Sequence, residues 1–312
     1  MYLAGIDLGG SSIKAGLVDE NMSLVCKSSR QTDVERGFSK VTADMADMVS
    51  QLAHQQGIAL SQIKSIGIGL PGIFQNGIAN AVNLFWKDVP LESEMKKHID
   101  LPVFADNDAT VAAVYEYHFG ALKESKVGVL LTLGTGIGGG IIINGKPFNG
   151  AHGLGGELGH IQIVPDGLPC TCGNKGCLEN YASATAMLRQ GRRCVAERPE
   201  SLLFKLTDGD MNRVTAKLVT DCAMQGDHIA LALVDAYVGY LAVGIGIIEN
   251  TLDPDTIALG GGVSNTGAFL LDKIIAACAD KGVFTGKKYA DIKFAVSGND
   301  AGILGAAMLG VA

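Results

Sequence analysis

The sequence predicts an α/β protein built from two related lobes. Strand-like and helix-like segments alternate along its 312 residues, an order typical of helices packed on largely parallel sheets. Residues 1–30 and 126–148 share a pattern of strand, glycine-rich turn and strand, and a shift of 125 residues places Leu8 on Leu133. This weak internal repeat predicts two similar halves with a ligand cleft between them.

The first half contains short apolar strands and two helices. Strands are predicted where apolar residues run or alternate between turn residues, and helices where they recur every three or four positions. The predicted elements are strands at 3–6, 13–18, 24–26, 66–70 and 103–105, a helix over 38–56, and a helix after residue 108 that includes Val114 and Glu116.

The second half repeats the opening hairpin and then becomes mostly helical. The predicted elements are strands at 127–131 and 140–143, helical structure from 181 to 247, strands at 256–259 and 292–296, and a closing helix of small residues over 301–309.

Composition excludes several classes of protein. The net charge of −7 argues against nucleic-acid binding, which needs clustered Lys and Arg. The longest apolar run, residues 241–248, is too short for a membrane span. The chain starts in a strand-like segment with no export signal and has seven cysteines. We therefore expect a cytoplasmic protein with no nucleic-acid or membrane partner.

The segment 150–181 carries a set of metal-ligand residues. One imidazole and three thiols, His160, Cys170, Cys172 and Cys177, lie within eighteen positions, and this is the ligand set of a closed structural zinc site. A disulfide with a spare thiol is the alternative, but it suits short secreted chains. Glu157 and Glu179 flank the set, so a metal that orders this loop would also order two carboxylates.

Two glycine-rich turns carry hydroxyl groups, at Ser11 and Ser12 and at Thr135. Such turns present backbone N–H groups to phosphate oxygens, although each could be a simple hairpin. No GxxxxGK[ST] loop occurs. Residues 134–139 match GxGxxG, but a strand follows where a dinucleotide site needs a helix. Two related turns and a third glycine run at 260–262 favour a phosphate-bearing nucleotide.

Asp106, Asn107 and Asp108 follow a predicted strand. A carboxylate at this place can accept the proton of a substrate hydroxyl that attacks a phosphoryl group. Asp108 could instead simply cap the next helix. The carboxylates and imidazole of Glu157, His160 and Glu179 add groups that can pair with several hydroxyls of a sugar.

These motifs together resemble the ROK family of bacterial sugar kinases, within the actin-like, ribonuclease H-like ATPase superfamily. The similarity runs the whole length of the chain. It is carried by residues 7–14 (DLGGSSIK), 134–140 (GTGIGGG), 156–160 (GELGH), 170–179 (CTCGNKGCLE) and 259–263 (LGGGV). The resemblance implies a two-lobed actin-like fold with a structural zinc loop. Its small lobe would comprise residues 1–115 and 298–312, and its large lobe residues 116–297.

The resemblance also implies roles for individual residues. Asp108 is expected to be the catalytic base. The expected sugar-binding residues are Asn107, Asp108, Glu157, His160 and Glu179, with His160 also serving zinc through its other ring nitrogen. The expected nucleotide-binding residues are Asp7, Gly9, Gly10, Ser11, Ser12, Lys14, Thr135, Gly136, Gly260, Gly261 and Gly262, and Asp7 is expected to organise Mg²⁺ at the phosphates. The zinc ligands are expected to be His160, Cys170, Cys172 and Cys177.

The implied function is an ATP:hexose kinase that phosphorylates the 6-hydroxyl of glucose, in a homodimer. Thr110 and Gly155 depart from the family's common Asn and Ala, which leaves allose, mannose, fructose or N-acetylmannosamine as alternative sugars. Polyphosphate remains an alternative donor. A non-catalytic sugar sensor is a further alternative, although sensing needs no base, and only six residues precede Asp7, too few for the helix-turn-helix of the family's repressors.

Overall fold

A computed structural model describes residues 1–262, 266–279, 281, 289–296, 298 and 300–311. The chain forms two compact units. The first comprises Met1–Glu124, Gly140–Gly156 and Val296–Ala312, and the second Ser125–Gly139 and Glu157–Ala295. These units place residues 116–124 and 140–156 with the first unit, whereas the sequence-based division assigned them to the second lobe.

Strands and helices alternate along the chain. Up to residue 147 they are β1 (Tyr2–Leu8), β2 (Ser12–Val18), β3 (Leu24–Gln31), α1 (Phe38–Gln55), β4 (Ile63–Leu70), β5 (Ile73–Gln75), β6 (Ile78–Ala81), β7 (Trp86–Val89), α2 (Leu91–Lys96), β8 (Val103–Asn107), α3 (Asp108–Phe119), β9 (Val127–Leu133), β10 (Ile137–Ile143) and β11 (Lys146–Pro147). The later elements are α4 (Glu179–Ala182), α5 (Ala184–Glu197), α6 (Leu202–Thr207), α7 (Ala216–Met224), α8 (His228–Leu252), β12 (Thr256–Gly260), α9 (Ala268–Cys278), β13 (Asp291–Phe294) and α10 (Ala301–Met308).

The first unit is built on a five-stranded sheet with the order β3-β2-β1-β4-β8. β1 and β2 form the antiparallel hairpin expected from the sequence, with Asp7 opposite Lys14. β4 and β8 continue the sheet in parallel, so the carboxyl ends of β1, β4 and β8 lie along one edge. Ligands of open α/β sheets bind at this edge.

Apolar packing holds α1 and α10 to this sheet. α1 has apolar residues at helical spacing, and it buries Val41, Met45 and Val49. α10 approaches the sheet so closely that a Cβ placed on Gly67 would lie 1.7 Å from the carbonyl oxygen of Ala306. Only glycine fits at such a contact, so Gly67 allows the last helix to lie directly on β4.

A three-stranded sheet of β5, β6 and β7 also belongs to the first unit, and the sequence did not predict it. Its strands have three or four residues, too few for a periodic pattern. β8 extends two residues past its predicted end and includes Asp106 and Asn107. β13 ends at Phe294, so the predicted strand to Val296 was too long.

A second five-stranded sheet has the order β11-β10-β9-β12-β13, and the chain passes between the two units within β10. β9, β12 and β13 are parallel, with Gly260 opposite Thr132. The helical region predicted over 181–247 is divided into α4 to α8, and each of α5, α6, α7 and α8 begins with a capping Ser, Thr or Asp side chain.

α8 is the longest helix in the described part of the chain, and it is strongly apolar. By length and composition alone its 25 residues could cross a membrane, but half of the most apolar window is buried inside the protein. A core helix of a soluble domain has the same character. The sequence analysis considered only the apolar run 241–248, whereas the apolar helix begins at His228 and packs on α7 and α9.

Candidate functional site

The turn between β1 and β2 is fixed by three hydrogen bonds to its carbonyl groups. The Gly9 amide donates to the Ser12 carbonyl at 2.9 Å, and the Thr32 amide donates to the Ser11 carbonyl at 3.1 Å. The Thr32 hydroxyl donates to the Gly9 carbonyl at 2.6 Å. Because protein donors occupy these oxygens, the turn has the ordered backbone that an anion-binding turn requires.

Asp7 lies at the end of β1 beside this turn. Its cross-strand partner is Lys14, whose Nζ is 3.5 Å from Asp7 Oδ2. α10 approaches from the other side, and a Cβ placed on Gly302 would lie 2.8 Å from the Asp7 Cγ. The position of this carboxylate is therefore set by the neighbouring strand β2 and by α10, a helix from the other end of the chain.

Asp106, Asn107 and Asp108 lie where β8 passes into α3. The side chain of Asn107 caps the helix: its Oδ1 accepts from the Ala109 amide at 2.9 Å, and its Nδ2 donates to the Gly72 carbonyl at 3.1 Å. Asp108 is the first residue of the helix, and its Oδ1 also accepts from the Ala109 amide, at 2.8 Å. The capping role considered for Asp108 thus belongs to Asn107.

The second glycine-rich turn lies between β9 and β10. The Gly134 amide donates to the Gly136 carbonyl at 3.0 Å, and the Gly138 amide donates to Thr132 Oγ1 at 3.1 Å. Glu179, at the start of α4, contacts this turn: its Oε2 accepts from the Ile137 amide at 2.9 Å. A Cβ placed on Gly136 would lie 2.1 Å from the same oxygen, so a larger residue there would displace the Glu179 carboxylate.

A cavity of about 370 Å³ lies beside the third glycine run. β12 ends at Gly260, and Gly262 belongs to the cavity wall with Met187, Thr220, Met224 and Leu270. The wall is mostly apolar, and its volume is at the lower end of the range for small-molecule sites. Val263, which completed the expected motif, lies outside the described residues.

The four expected zinc ligands converge. One ligand atom from each of His160, Cys170, Cys172 and Cys177 lies within 4.8 Å of the others. His160 Nδ1 is 3.6 Å from Cys170 Sγ, and Cys172 Sγ is 3.6 Å from Cys177 Sγ. A tetrahedral ion with Zn–S bonds of about 2.3 Å separates two sulfurs by about 3.8 Å, whereas a disulfide needs about 2.05 Å. All seven cysteines are free thiols, so the disulfide alternative is wrong.

The pKa shifts of Cys172 and Cys177 also bear on whether this cluster can bind a cation. Burial, together with the neighbouring Cys172 and Cys170, raises the pKa of Cys177 to about 12. The amide of Asn174 holds the pKa of Cys172 below its ordinary value. The two neighbouring thiols thus oppose the ionisation of Cys177, and a bound Zn²⁺ would reverse that effect by stabilising the thiolate. The donor set therefore suits zinc.

His160 presents its two ring nitrogens to different groups. Nδ1 faces the thiols, and Nε2 is 3.8 Å from Glu157 Oε2. The short 3₁₀ turn Leu158–His160 separates the two residues by three positions and brings them to the same side. One side chain thus links the metal-ligand cluster to a carboxylate expected to bind sugar.

Sequence comparison identifies the family of the chain. The model of the ROK family matches residues 3–311. The chain belongs to the ROK family. It is 38% identical to the glucokinase of Halalkalibacterium halodurans, over 99% of this chain and 94% of that one. It is 36% identical to the glucokinase of Thermotoga maritima, over 99% and 97%.

Structural comparison agrees. A ROK family glucokinase from Streptomyces griseus, solved with glucose and AMPPNP, superposes with a TM-score of 0.80 at 33% identity, over 99% of both chains. The two-lobed actin-like ATPase fold of the ROK glucokinases is therefore the fold of this chain. A xylose repressor from Caldicellulosiruptor bescii is 29% identical over 87% of this chain and 68% of its own length, so the family includes regulators as well as kinases.

The expected site residues of this ROK protein are divided between its two compact units. Asp7, Gly9, Gly10, Ser11, Ser12, Lys14, Asn107 and Asp108 belong to the first, and Thr135, Gly136, Glu157, His160, Glu179 and the glycines at 260–262 belong to the second. Within the first unit, Asp7 and Lys14 contact each other. Within the second, Glu179 contacts the turn at Gly136, and His160 lies beside the thiols and Glu157.

Sequence reasoning missed two residues that position this site. Gly302 supports Asp7, and Asn149 donates through Nδ2 to Asp106 Oδ2 at 2.7 Å. Gly302 appeared in the sequence only as one small residue of a closing helix. Asp106 was seen as a neighbour of Asn107, but nothing in the sequence indicated that Asn149, forty-three positions later, would bind it.

Proposed function

We propose that this ROK protein is an ATP-dependent glucokinase that transfers a phosphoryl group to the 6-hydroxyl of glucose. The observation that carries the proposal is the position of Asp108, on the first turn of α3 beside a capping Asn107. Helix capping does not require this carboxylate, because Asn107 supplies the cap. Full-length similarity to glucokinases at 36–38% identity supports the same activity.

In the proposed reaction, Asp108 accepts the proton of the sugar 6-hydroxyl. The oxygen of that hydroxyl then forms a bond to the γ-phosphorus while the bond from phosphorus to the bridging oxygen of ADP breaks. Asn107, Glu157, His160 and Glu179 would bind the remaining hydroxyls of the sugar. Carboxylates suit this task because each accepts two or more hydrogen bonds.

The two glycine-rich turns would bind the phosphates through backbone amides, and the cavity beside Gly262 would take the nucleoside. Lys14 would add a positive charge at the first turn. Mg²⁺ bound with ATP supplies charge neutralisation at the phosphates, and Asp7 would help to hold it. Glu179 would serve the second turn as well as the sugar, since its carboxylate already accepts from the Ile137 amide.

The proposal also covers zinc binding, the oligomeric state and the cellular compartment. His160, Cys170, Cys172 and Cys177 would hold one structural Zn²⁺, because their ligand atoms converge at distances that suit a tetrahedral ion. We also propose a cytoplasmic homodimer, as expected for the family.

A coupled assay of ADP release with glucose, mannose, fructose, allose and N-acetylmannosamine tests the function directly. We expect glucose to give the highest kcat/KM with ATP. Replacing ATP by polyphosphate in parallel reactions tests the donor. Turnover with none of these sugars and either donor would refute the proposal, and a preference for another hexose would correct the substrate.

A sugar-responsive regulator is the second candidate, and the similarity to a xylose repressor favours it. A regulator would bind sugar without turnover. Calorimetric titration with glucose and with xylose, run beside the kinase assay, distinguishes the two candidates because sugar binding without ADP release is expected only for the regulator.

A further inference from the structure

Asp106 is a buried carboxylate beside the proposed base, and the mechanism above does not use it. It is 8% exposed, and burial raises its pKa although two hydrogen bonds oppose the shift. Its Oδ1 accepts from the Asn107 amide at 2.7 Å, and its Oδ2 accepts from Asn149 Nδ2 at 2.7 Å. A buried carboxylate is costly unless donors of this kind satisfy it.

The bond to Asn107 fixes the residue that precedes Asp108. Asn107 caps α3 and also donates to the Gly72 carbonyl at 3.1 Å, so its backbone and its side chain are both held. Asp108 follows directly and takes its orientation from this backbone. A shift of the Asp106 carboxylate would therefore move the start of α3 and the proposed base with it.

The bond to Asn149 fixes a loop that leads into residues 156–160, the motif that contains the proposed sugar-binding residues Glu157 and His160. The Asn149 carbonyl accepts from the Gly155 amide at 2.9 Å and closes a loop over residues 149–155. Gln75 Nε2 donates to the Ala151 carbonyl at 2.8 Å and holds the middle of the same loop. Glu157 follows two residues after Gly155.

We infer that Asp106 and Asn149 form a positioning pair, in which one hydrogen bond joins the end of β8 that bears Asp108 to the loop that precedes Glu157. The inference rests on the proposed kinase function. Neither residue is expected to touch substrate; each acts through its neighbour. The bond is charge-assisted, and such bonds are shorter and stronger than neutral ones. Both side chains lie in the wall of a cavity of about 830 Å³, so replacements of equal size need not disturb the core.

An exchange of the two side-chain types tests the pair. Asn149→Asp places two carboxylates against each other, and like charges at this distance repel. Adding Asp106→Asn places a side-chain amide donor at position 106 opposite the carboxylate acceptor at position 149. The side-chain carbonyl oxygen at position 106 can still accept from the Asn107 amide. The double variant therefore rebuilds both hydrogen bonds, and the direction is reversed only in the bond between positions 106 and 149.

For the wild type and each variant, kcat and the glucose KM are measured at pH 8, and the melting temperature is measured in parallel. We expect Asn149→Asp to lower kcat by roughly 10- to 100-fold, because a displacement near 1 Å can cost about 100-fold. Asp106→Asn combined with Asn149→Asp should return kcat to within about threefold of wild type, since coupled residues compensate each other. Gln75→Ala, which removes a bond to the same loop but not to Asp106, should change kcat by less than about twofold, as an exposed hydrogen bond contributes little.

The outcomes separate positioning from stability. If Asn149→Asp lowers the melting temperature and leaves kcat unchanged, the pair is only structural and the inference is overturned. The inference is also overturned if the double variant recovers the melting temperature but not kcat. If Asn149→Asp does not fold, Asn149→Ala replaces it, with the same loss of kcat expected. A wild-type protein without hexose kinase activity would refute the proposed function, and the inference would fall with it.

Discussion

Gly302 offers a direct test of whether the position of Asp7 matters for phosphoryl transfer. The residue lies in the first turn of α10, where a Cβ would be 2.8 Å from Asp7 Cγ and 2.9 Å from Asp7 Oδ2. Gly302→Ala adds only this atom. Asp7 lies beside the first glycine-rich turn and is proposed to hold the Mg²⁺ that accompanies ATP.

The size of the disturbance follows from the contact distance. Non-bonded carbon atoms rest about 3.5–4.0 Å apart, so a contact at 2.8 Å requires Asp7 or α10 to move by roughly 0.7–1.2 Å. A misplacement of this size in a reacting site can lower the rate by up to about 100-fold. We expect Gly302→Ala to lower kcat by at least about tenfold, because Asp7 is proposed to act on the charge that develops at the phosphates.

The assay measures kcat against Mg²⁺ and ATP concentration, with glucose saturating, and glucose binding by calorimetry. A higher Mg²⁺ requirement with unchanged glucose affinity is the expected result. Gly239→Ala is the matched control, since Gly239 lies within α8 and its new Cβ would meet no atom within 4 Å. Both substitutions gain about 0.5–1 kcal/mol of helix propensity, so the difference between them isolates the contact with Asp7.

Gly302→Ala with the kinetics of Gly239→Ala would refute this reasoning. That result would mean that α10 absorbs the extra atom, or that Asp7 is not needed at the phosphates. A loss of glucose affinity equal to the loss of turnover would also contradict it, because the change would then not be confined to the nucleotide side of the reaction.

Three further substitutions test the rest of the site. Asp108→Asn should lower kcat by about 10²–10⁴-fold and weaken glucose binding less; near-normal turnover would remove Asp108 as the base. Glu157→Gln should instead mainly weaken glucose binding, because it removes a charged acceptor of ground-state hydrogen bonds, and calorimetry measures this. Cys172→Ser should lower the zinc content, about one ion per chain in the wild type, together with the melting temperature; wild-type protein that is folded and active without metal would contradict the zinc site.

Local patterns predicted much of this fold because they depend on neighbouring residues. The β1–β2 hairpin and α1 follow from apolar alternation and helical spacing, and both were confirmed. The convergence of the four expected zinc ligands was also predictable, because all four occur within one short segment. The residue roles and the division into lobes stay predictions.

Tertiary contacts account for what the sequence could not predict. Gly302 is required because α10 approaches Asp7 from nearly 300 residues away, and Asn149 pairs with Asp106 only once β8 and the loop after β11 are placed together. The small sheet of β5 to β7 was missed for a different reason, since its strands are too short to show a period. Glu179 was expected at the sugar, yet its visible contact is with the second glycine-rich turn.

His160 shows why the zinc loop and the proposed sugar site should be studied together. If Nδ1 held the proposed metal, the neutral imidazole would carry its proton on Nε2, which faces Glu157. Ligating histidines commonly donate their second N–H to a carboxylate, and this fixes the orientation of the ring. Loss of the metal would free the ring to change tautomer and orientation. We therefore expect chelator-treated protein that remains folded to lose glucose affinity before it loses the chemical step, as Glu157→Gln should. If depleted protein instead binds glucose normally but turns over slowly, the link through His160 is wrong.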